Sequence, residues 1–166
     1  MPASYYFDND TASWRMSRVT ETIVMGVDVD AIIEQRRANF SVLRDALSPA
    51  VVANMLATDL PDTVCPLALP LLVQHRASWT TALHGRGIMA VEWWAGYHPS
   101  LDWDGFPEAC YLKDHLLTLP IHHDLGAKHM KYIGRCVNEI AAAMGSVASN
   151  GSATRRAADE LRPLAY

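Results

Sequence analysis

The stretch "VCPLALPLLVQHRASWTTALHGRGIMAVEW", residues 64–93, decides how the chain folds. Its first part, Val64 to Val73, is rich in apolar side chains of the kind that pack on a pleated surface and is bounded by turn residues, so it reads as a buried strand. Pro66 and Pro70 cannot donate to a ladder, which places that strand at a sheet edge or at a bulge. "HRASWTTALHGRG" reads as a short helix that stops at Gly85 and Gly87, and "IMAVEW" as a second strand. Strand, helix and strand in one short span predict a small sheet covered by helices.

Toward the C-terminus, the loop "WAGYHPSLDWDGFPEA" feeds a short helix through Leu112, and "HLLTLP" reads as a third strand ended by Pro120. Ala127, Met130, Ile133, Val137, Ile140 and Met144 then recur on one face of a final helix. The tail from Gly145 reads as partly disordered, apart from a turn of helix through "TRRAADEL". Toward the N-terminus, residues 1–13 show no periodicity, and Ser13 or Ser17 caps a short helix that Gly26 ends. Asp28 and Asp30 begin a long helix with Val29, Ile32, Ile33, Phe40, Leu43 and Leu47 on its apolar face. Glu34, Gln35, Arg37, Asn39 and Arg44, on its other face, read as a solvated surface. The expected fold is α/β: a three-stranded sheet covered by helices and preceded by one short and one long helix. Its divisions fall at 1–16, 17–144 and a flexible tail, 145–166.

A net charge of −4 and eleven scattered arginines give no basic field for a phosphate backbone, which argues against nucleic acid. The longest apolar run is far short of the roughly 20 residues of a spanning helix, so no membrane partner is expected. The opening "MPASYYFDND" has neither the basic nor the apolar region of a secretory leader, and a cytoplasmic location follows as the expectation. Cys65, Cys110 and Cys136 lie far apart among apolar residues and read as reduced core thiols. The sequon at Asn150 is then of no consequence.

Candidate chemistry is sparse. "PIHHDLGAKH" gathers His122, His123, Asp124 and His129, but adjacent histidines point different ways in an extended loop and no second motif completes a metal site. "SLDWDG", with Asp102, Asp104 and Gly105, has Ser100 in the first calcium-loop position and Tyr111 in the twelfth, and fails as one. No G-x-S-x-G elbow or phosphate loop is present. The three lysines, Lys113, Lys128 and Lys131, are expected to face solvent from amphipathic helices, whereas a Schiff-base lysine needs a desolvated site. The aromatic loop is the richest composition: Trp93, Trp94, Tyr97, His98 and Trp103 offer flat faces and polar tips suited to a sugar or base ring, with Trp94 and His98 the candidate substrate contacts. Aromatic packing beneath a loop is the competing reading.

Taken in order, "SWRMSRVTETIVMGVDVDAIIEQRRANFSVLRDAL", "CPLALPLLV", "LHGRGIMAVEWW" and "LLTLPIHHDLGAKHMKYI" resemble the DegT/StrS family of pyridoxal-phosphate (PLP) dependent aminotransferases, which act on nucleotide-linked keto sugars. The resemblance covers about residues 10 to 140. It implies the C-terminal small domain of a fold type I aminotransferase, with residues 1–16 as an inter-domain segment and the cofactor lysine on a large domain upstream. It also implies PLP as the cofactor, with Ser13 and Arg15 on the family's Asn and Arg positions at the cofactor phosphate of a neighbouring subunit. The partners implied are an N-terminal PLP-lysine domain or upstream gene product, and a second copy in a homodimer. PLP transamination needs a lysine to hold the cofactor and move a proton, so the chain alone is expected to be inactive. The alternative is a non-catalytic module that binds a nucleotide sugar or a protein.

Overall fold

The structure is a computed structural model that describes residues 11, 13–94 and 96–144. The expected tail, 145–166, and the Asn150 sequon lie outside the described residues. The chain divides into two units, Met1–Ala31 and Ile32–Tyr166.

In the first unit, α1 (Arg18–Met25) starts where the Ser17 hydroxyl accepts from the Thr20 N–H at 3.1 Å, and it ends at Gly26, whose N–H reaches the carbonyls of Thr22 and Ile23. Ser17, not Ser13, is therefore the cap. None of the α1 side chains is buried. The Asp28 carboxylate accepts from the Ala31 N–H at 3.0 Å and so starts α2 (Val29–Ala46), within which the unit boundary falls.

The second unit continues with α3 (Pro49–Val52), β1 (Ala68–Leu72), α4 (Arg76–His84), β2 (Val91–Glu92), α5 (Pro107–His115), β3 (Leu116–Pro120) and α6 (Ala127–Met144). The sheet order is β1-β3-β2, and β3 is antiparallel to both neighbours. β1 and β2 are thus parallel to each other, joined through α4, and β3 fills the gap between them: a split β-α-β unit. The expected mixture of helices with a three-stranded sheet is present, and the sheet is antiparallel. β1 is an edge strand, where Pro70 is tolerated because its missing N–H interrupts no inner ladder.

Register sorts the side chains. Leu69 faces Leu119 and Leu71 faces Leu117, all fully buried in one core with Phe40 and Leu43 of α2, Trp79 and Leu83 of α4, and Met130, Ile133, Val137 and Ile140 of α6. On the alternate positions Leu72 pairs with Leu116, and both are also buried, so β3 is covered on both faces. Strand β2 has only two residues, shorter than the expected "IMAVEW", since only Val91 and Glu92 find partners in Thr118 and Leu117. The chain reaches it from α4 through Gly87, whose φ of 73° is the left-handed turn that suits glycine.

Two expectations about polar surfaces are corrected. The polar face of α2 is not simply solvated: Arg37 donates to the carbonyls of Pro61 and Val64 at 2.7 Å each, Arg36 to those of Pro66 and Leu67, and Arg44 to that of Thr58. These guanidiniums satisfy carbonyls that no strand pairs, and so clamp the segment before β1 against the helix. Asn39 is buried at 1% exposure. Its amide donates to the carbonyls of His122 at 2.8 Å and Leu125 at 2.9 Å, and more weakly to that of Ile121. Cys65 is exposed, contrary to the core-thiol reading, because the strand begins at Ala68 and leaves Cys65 in the clamped segment; Cys110 is half-buried, Cys136 is buried, and all three are free thiols.

Candidate functional site

Arg15 and Met16 stand just before α1, and with Glu21, Val24 and Met25 they line an open groove of about 440 Å³ in the first unit. Ser13 and Arg15 are exposed. A hydroxyl and a guanidinium are donors that suit a phosphate group, with Glu21 in the same groove working against an anion. They do not by themselves make a site for PLP, which must also be held through a lysine amine. Lys128 and Lys131 are exposed on α6, and the Lys113 amine is engaged elsewhere. None of the three lysines lies among the residues that line the groove beside Arg15.

Lys113 departs from its expected solvent-facing role. Its Nζ donates to the Trp94 carbonyl at 2.7 Å and lies 4.9 Å from the centre of the Trp103 ring and 5.2 Å from that of Tyr97. Each such ring contact contributes about 0.5–1 kcal/mol at an exposed position. Tyr97 and Trp103 meet edge to face, with ring centres 5.1 Å apart. The Tyr97 hydroxyl donates to Asp114 at 2.8 Å, a bond that, with desolvation next in weight, pushes its phenol from 10.0 up to about 12. Trp103 Nε1 donates to the His98 carbonyl at 3.0 Å, and the Ser100 N–H donates to His98 Nδ1 at 3.2 Å. The loop is thus fastened to α5 by its own aromatic and polar groups. Tyr97 and Trp103 turn their faces to Lys113, while Trp94, 58% exposed as a residue, meets Trp93 edge-on.

Trp94 also holds φ at 54°, in the left-handed region that a bulky side chain enters rarely. His75, at the start of α4, holds the same region with φ at 52°; such conformations persist where the surrounding structure fixes them, as at caps and at binding loops. Of the two candidate substrate contacts, Trp94 presents an open face, and His98 serves the loop through its Nδ1 and its carbonyl.

Arg76 organises the floor beneath this loop. Its Nε lies 3.3 Å from the Glu92 carboxylate, and its Nη1 donates to the Lys113 carbonyl and, at 3.5 Å each, to those of Trp93 and Leu116. One side chain at the start of α4 thereby ties β2, α5 and β3 together. Nothing in the local sequence distinguishes Arg76 from a surface arginine, since its partners arrive from remote segments.

The histidines after β3 also differ from expectation. His122 and His123 do not diverge: their ring centres are 4.0 Å apart, because a turn closed by the Leu125 N–H on the His122 carbonyl replaces the expected extended loop. Asp124 sits beside both, and His129 stands apart, its Nδ1 accepting from the Gly126 N–H at 3.0 Å ahead of α6.

No helix among the described residues is long and apolar enough to cross a membrane. Comparison with protein-family profiles, curated proteins and solved structures gives no match in any of the three.

Proposed function

We propose that the chain is the C-terminal small-domain part of an aminotransferase-like protein of the DegT/StrS type, acting on nucleotide-linked keto sugars in cell-surface polysaccharide or secondary-metabolite sugar biosynthesis, and inactive without a lysine-bearing domain. The observation that carries the reading is the placement of the resembling segments. "WRM" precedes the capped α1, "LHGRGIMAVEWW" runs from the end of α4 through β2, and "LLTLPIHHDLGAKHMKYI" runs from β3 into α6. The first of these lies in the first unit, and the other two each span a junction between elements of the second unit's helix-and-sheet layer. In this role Arg15 and Ser13 would face a cofactor phosphate held by another subunit, and the chain would work as a homodimer or other self-associated form.

The test supplies what the chain lacks. Mixed with a lysine-bearing PLP domain of this type, it should restore amino transfer from glutamate to a nucleotide-linked keto sugar, and Arg15→Ala should reduce that transfer at least tenfold. Covalent PLP binding and transamination by the isolated chain would overturn the division of labour.

The exposed, strained Trp94 favours a second reading, a module that binds a nucleotide sugar without acting on it. Quenching of tryptophan fluorescence by a nucleotide sugar, lost in Trp94→Ala, together with no restored transfer in the mixing experiment, would decide for it.

A further inference from the structure

The turn after β3 collects donors that the aminotransferase reading does not use. One ligand atom from each of His122, His123 and Asp124 can be chosen so that all lie within 4.8 Å of one another. The Asp124 carboxylate is 3.1 Å from His122 Nδ1 and 3.8 Å from His123 Nε2. An ion bound at about 2.0–2.2 Å from each ligand sets its ligands roughly 3–3.5 Å apart, so the two contacts to Asp124 are near the required span. A modest rotation of the side chains brings the whole set to that span. His123 Nδ1, a buried atom, has no hydrogen-bond partner among the described residues to be broken by it, and the Asp124 N–H contact to His122 Nδ1 is long, at 3.4 Å.

The backbone that carries these donors is fixed from beneath. The Leu125 N–H closes the turn on the His122 carbonyl at 3.0 Å. Buried Asn39 grips both ends of the same turn, at the carbonyls of His122 and Leu125, and Gln35 adds a bond to Leu125 at 3.3 Å. A polar side chain buried in the core thus spends its donors on holding a four-residue surface turn in one shape. Preorganisation of this kind is what a ligand set on a loop requires.

We propose that His122, His123 and Asp124 bind one divalent transition-metal ion of the zinc or nickel class. Two imidazole nitrogens and one carboxylate are a mixed nitrogen and oxygen set, which suits these ions, whereas magnesium and calcium prefer oxygen alone. Three protein donors leave a fourth position open to water or an anion. The site is independent of the aminotransferase reading and stands or falls separately.

The experiment uses the full, untagged chain at neutral pH, titrated with Zn²⁺ by calorimetry and with Co²⁺ by visible absorbance. One ion per chain is expected. His123→Ala and the near-isosteric Asp124→Asn should each weaken binding at least tenfold, while His129→Gln leaves it unchanged. Circular dichroism of each variant without metal checks that the fold is kept. An independent reading needs no variant: of the seven histidines, only the imidazole signals of His122 and His123 should respond in the NMR spectrum on adding Zn²⁺. Absence of a saturable site, equal affinity in both variants, or a response centred on other histidines would each overturn the proposal.

Discussion

Asn39 occupies a helical position that periodicity assigns to water, and it is buried because the chain returns over it 82 to 86 residues later in the form of unpaired carbonyls. Helical spacing reports which residues share a face of their own helix and says nothing about a remote loop that lands there. The same limit hid Arg76, Arg37 and Lys113, all of which serve carbonyls from distant segments. Asn39→Ala should lower stability by about 3 kcal/mol, at roughly 1 kcal/mol for each hydrogen bond lost, measured by urea unfolding. Asn39→Asp should be no better, since a carboxylate presents acceptors to acceptors. Tyr97 offers a test by pH. Its hydrogen bond to Asp114 exists only while the phenol keeps its proton, so the contribution is complete below pH 10 and is lost as pH rises through about 12. Ultraviolet titration should show a late-ionising tyrosine component, to which Tyr132, raised by its interaction with Cys136, also belongs; Tyr97→Phe should remove one tyrosine from it and Asp114→Asn should move that tyrosine down.

At the scale of elements, α6 was legible to the residue, because eighteen positions repeat one apolar face without interruption. What the repeat could not show is how closely α2 approaches it. A Cβ built on Gly134 would lie 2.6 Å from Ala46 Cβ and 3.2 Å from the Ala46 carbonyl oxygen, so glycine is required there by contact and not by backbone conformation. Gly134→Ala should cost about 1–3 kcal/mol through overpacking, and Ala46→Gly in the same chain should recover part of it, both read as shifts in the urea midpoint. Beside this contact, Asn138 accepts from the Ser48 N–H at 2.8 Å and donates to the Ala46 carbonyl at 3.0 Å, closing the end of α2 from another helix. The three strands were legible as apolar runs between turn signals, but their lengths were not. β2 shrinks to two residues because its extent depends on what β3 offers, and that pairing is non-local.

For the whole molecule, the sequence pattern carried the mixed architecture and the capped leading helix, while the strand order β1-β3-β2 and the antiparallel pairing came only with the structure. The candidate residues were unequally legible. Trp94 stood out by composition, and its left-handed backbone came only with the structure; the His122 turn stood out by composition too, but its convergence needed the anchoring by Asn39. The first unit poses a different question. Eight-residue α1 exposes Val19, Ile23, Val24 and Met25, with Trp14 and Met16 exposed just ahead of it. Isolated helices shorter than about 12–15 residues are marginal in water, so a helix of this length with an unburied apolar stripe would be stabilised by any surface that covers the stripe. In the proposed homodimer a second copy supplies that cover. Sedimentation velocity should therefore show a mass that rises with concentration above the 18.4 kDa of one chain. Val19→Glu combined with Ile23→Glu sets two like charges one helical turn apart on the stripe, and should return the protein to monomer with the urea midpoint of the second unit unchanged. A wild-type chain that stays monomeric at high concentration would remove self-association from the proposed function, and one that associates equally well with both glutamates would place the contact elsewhere.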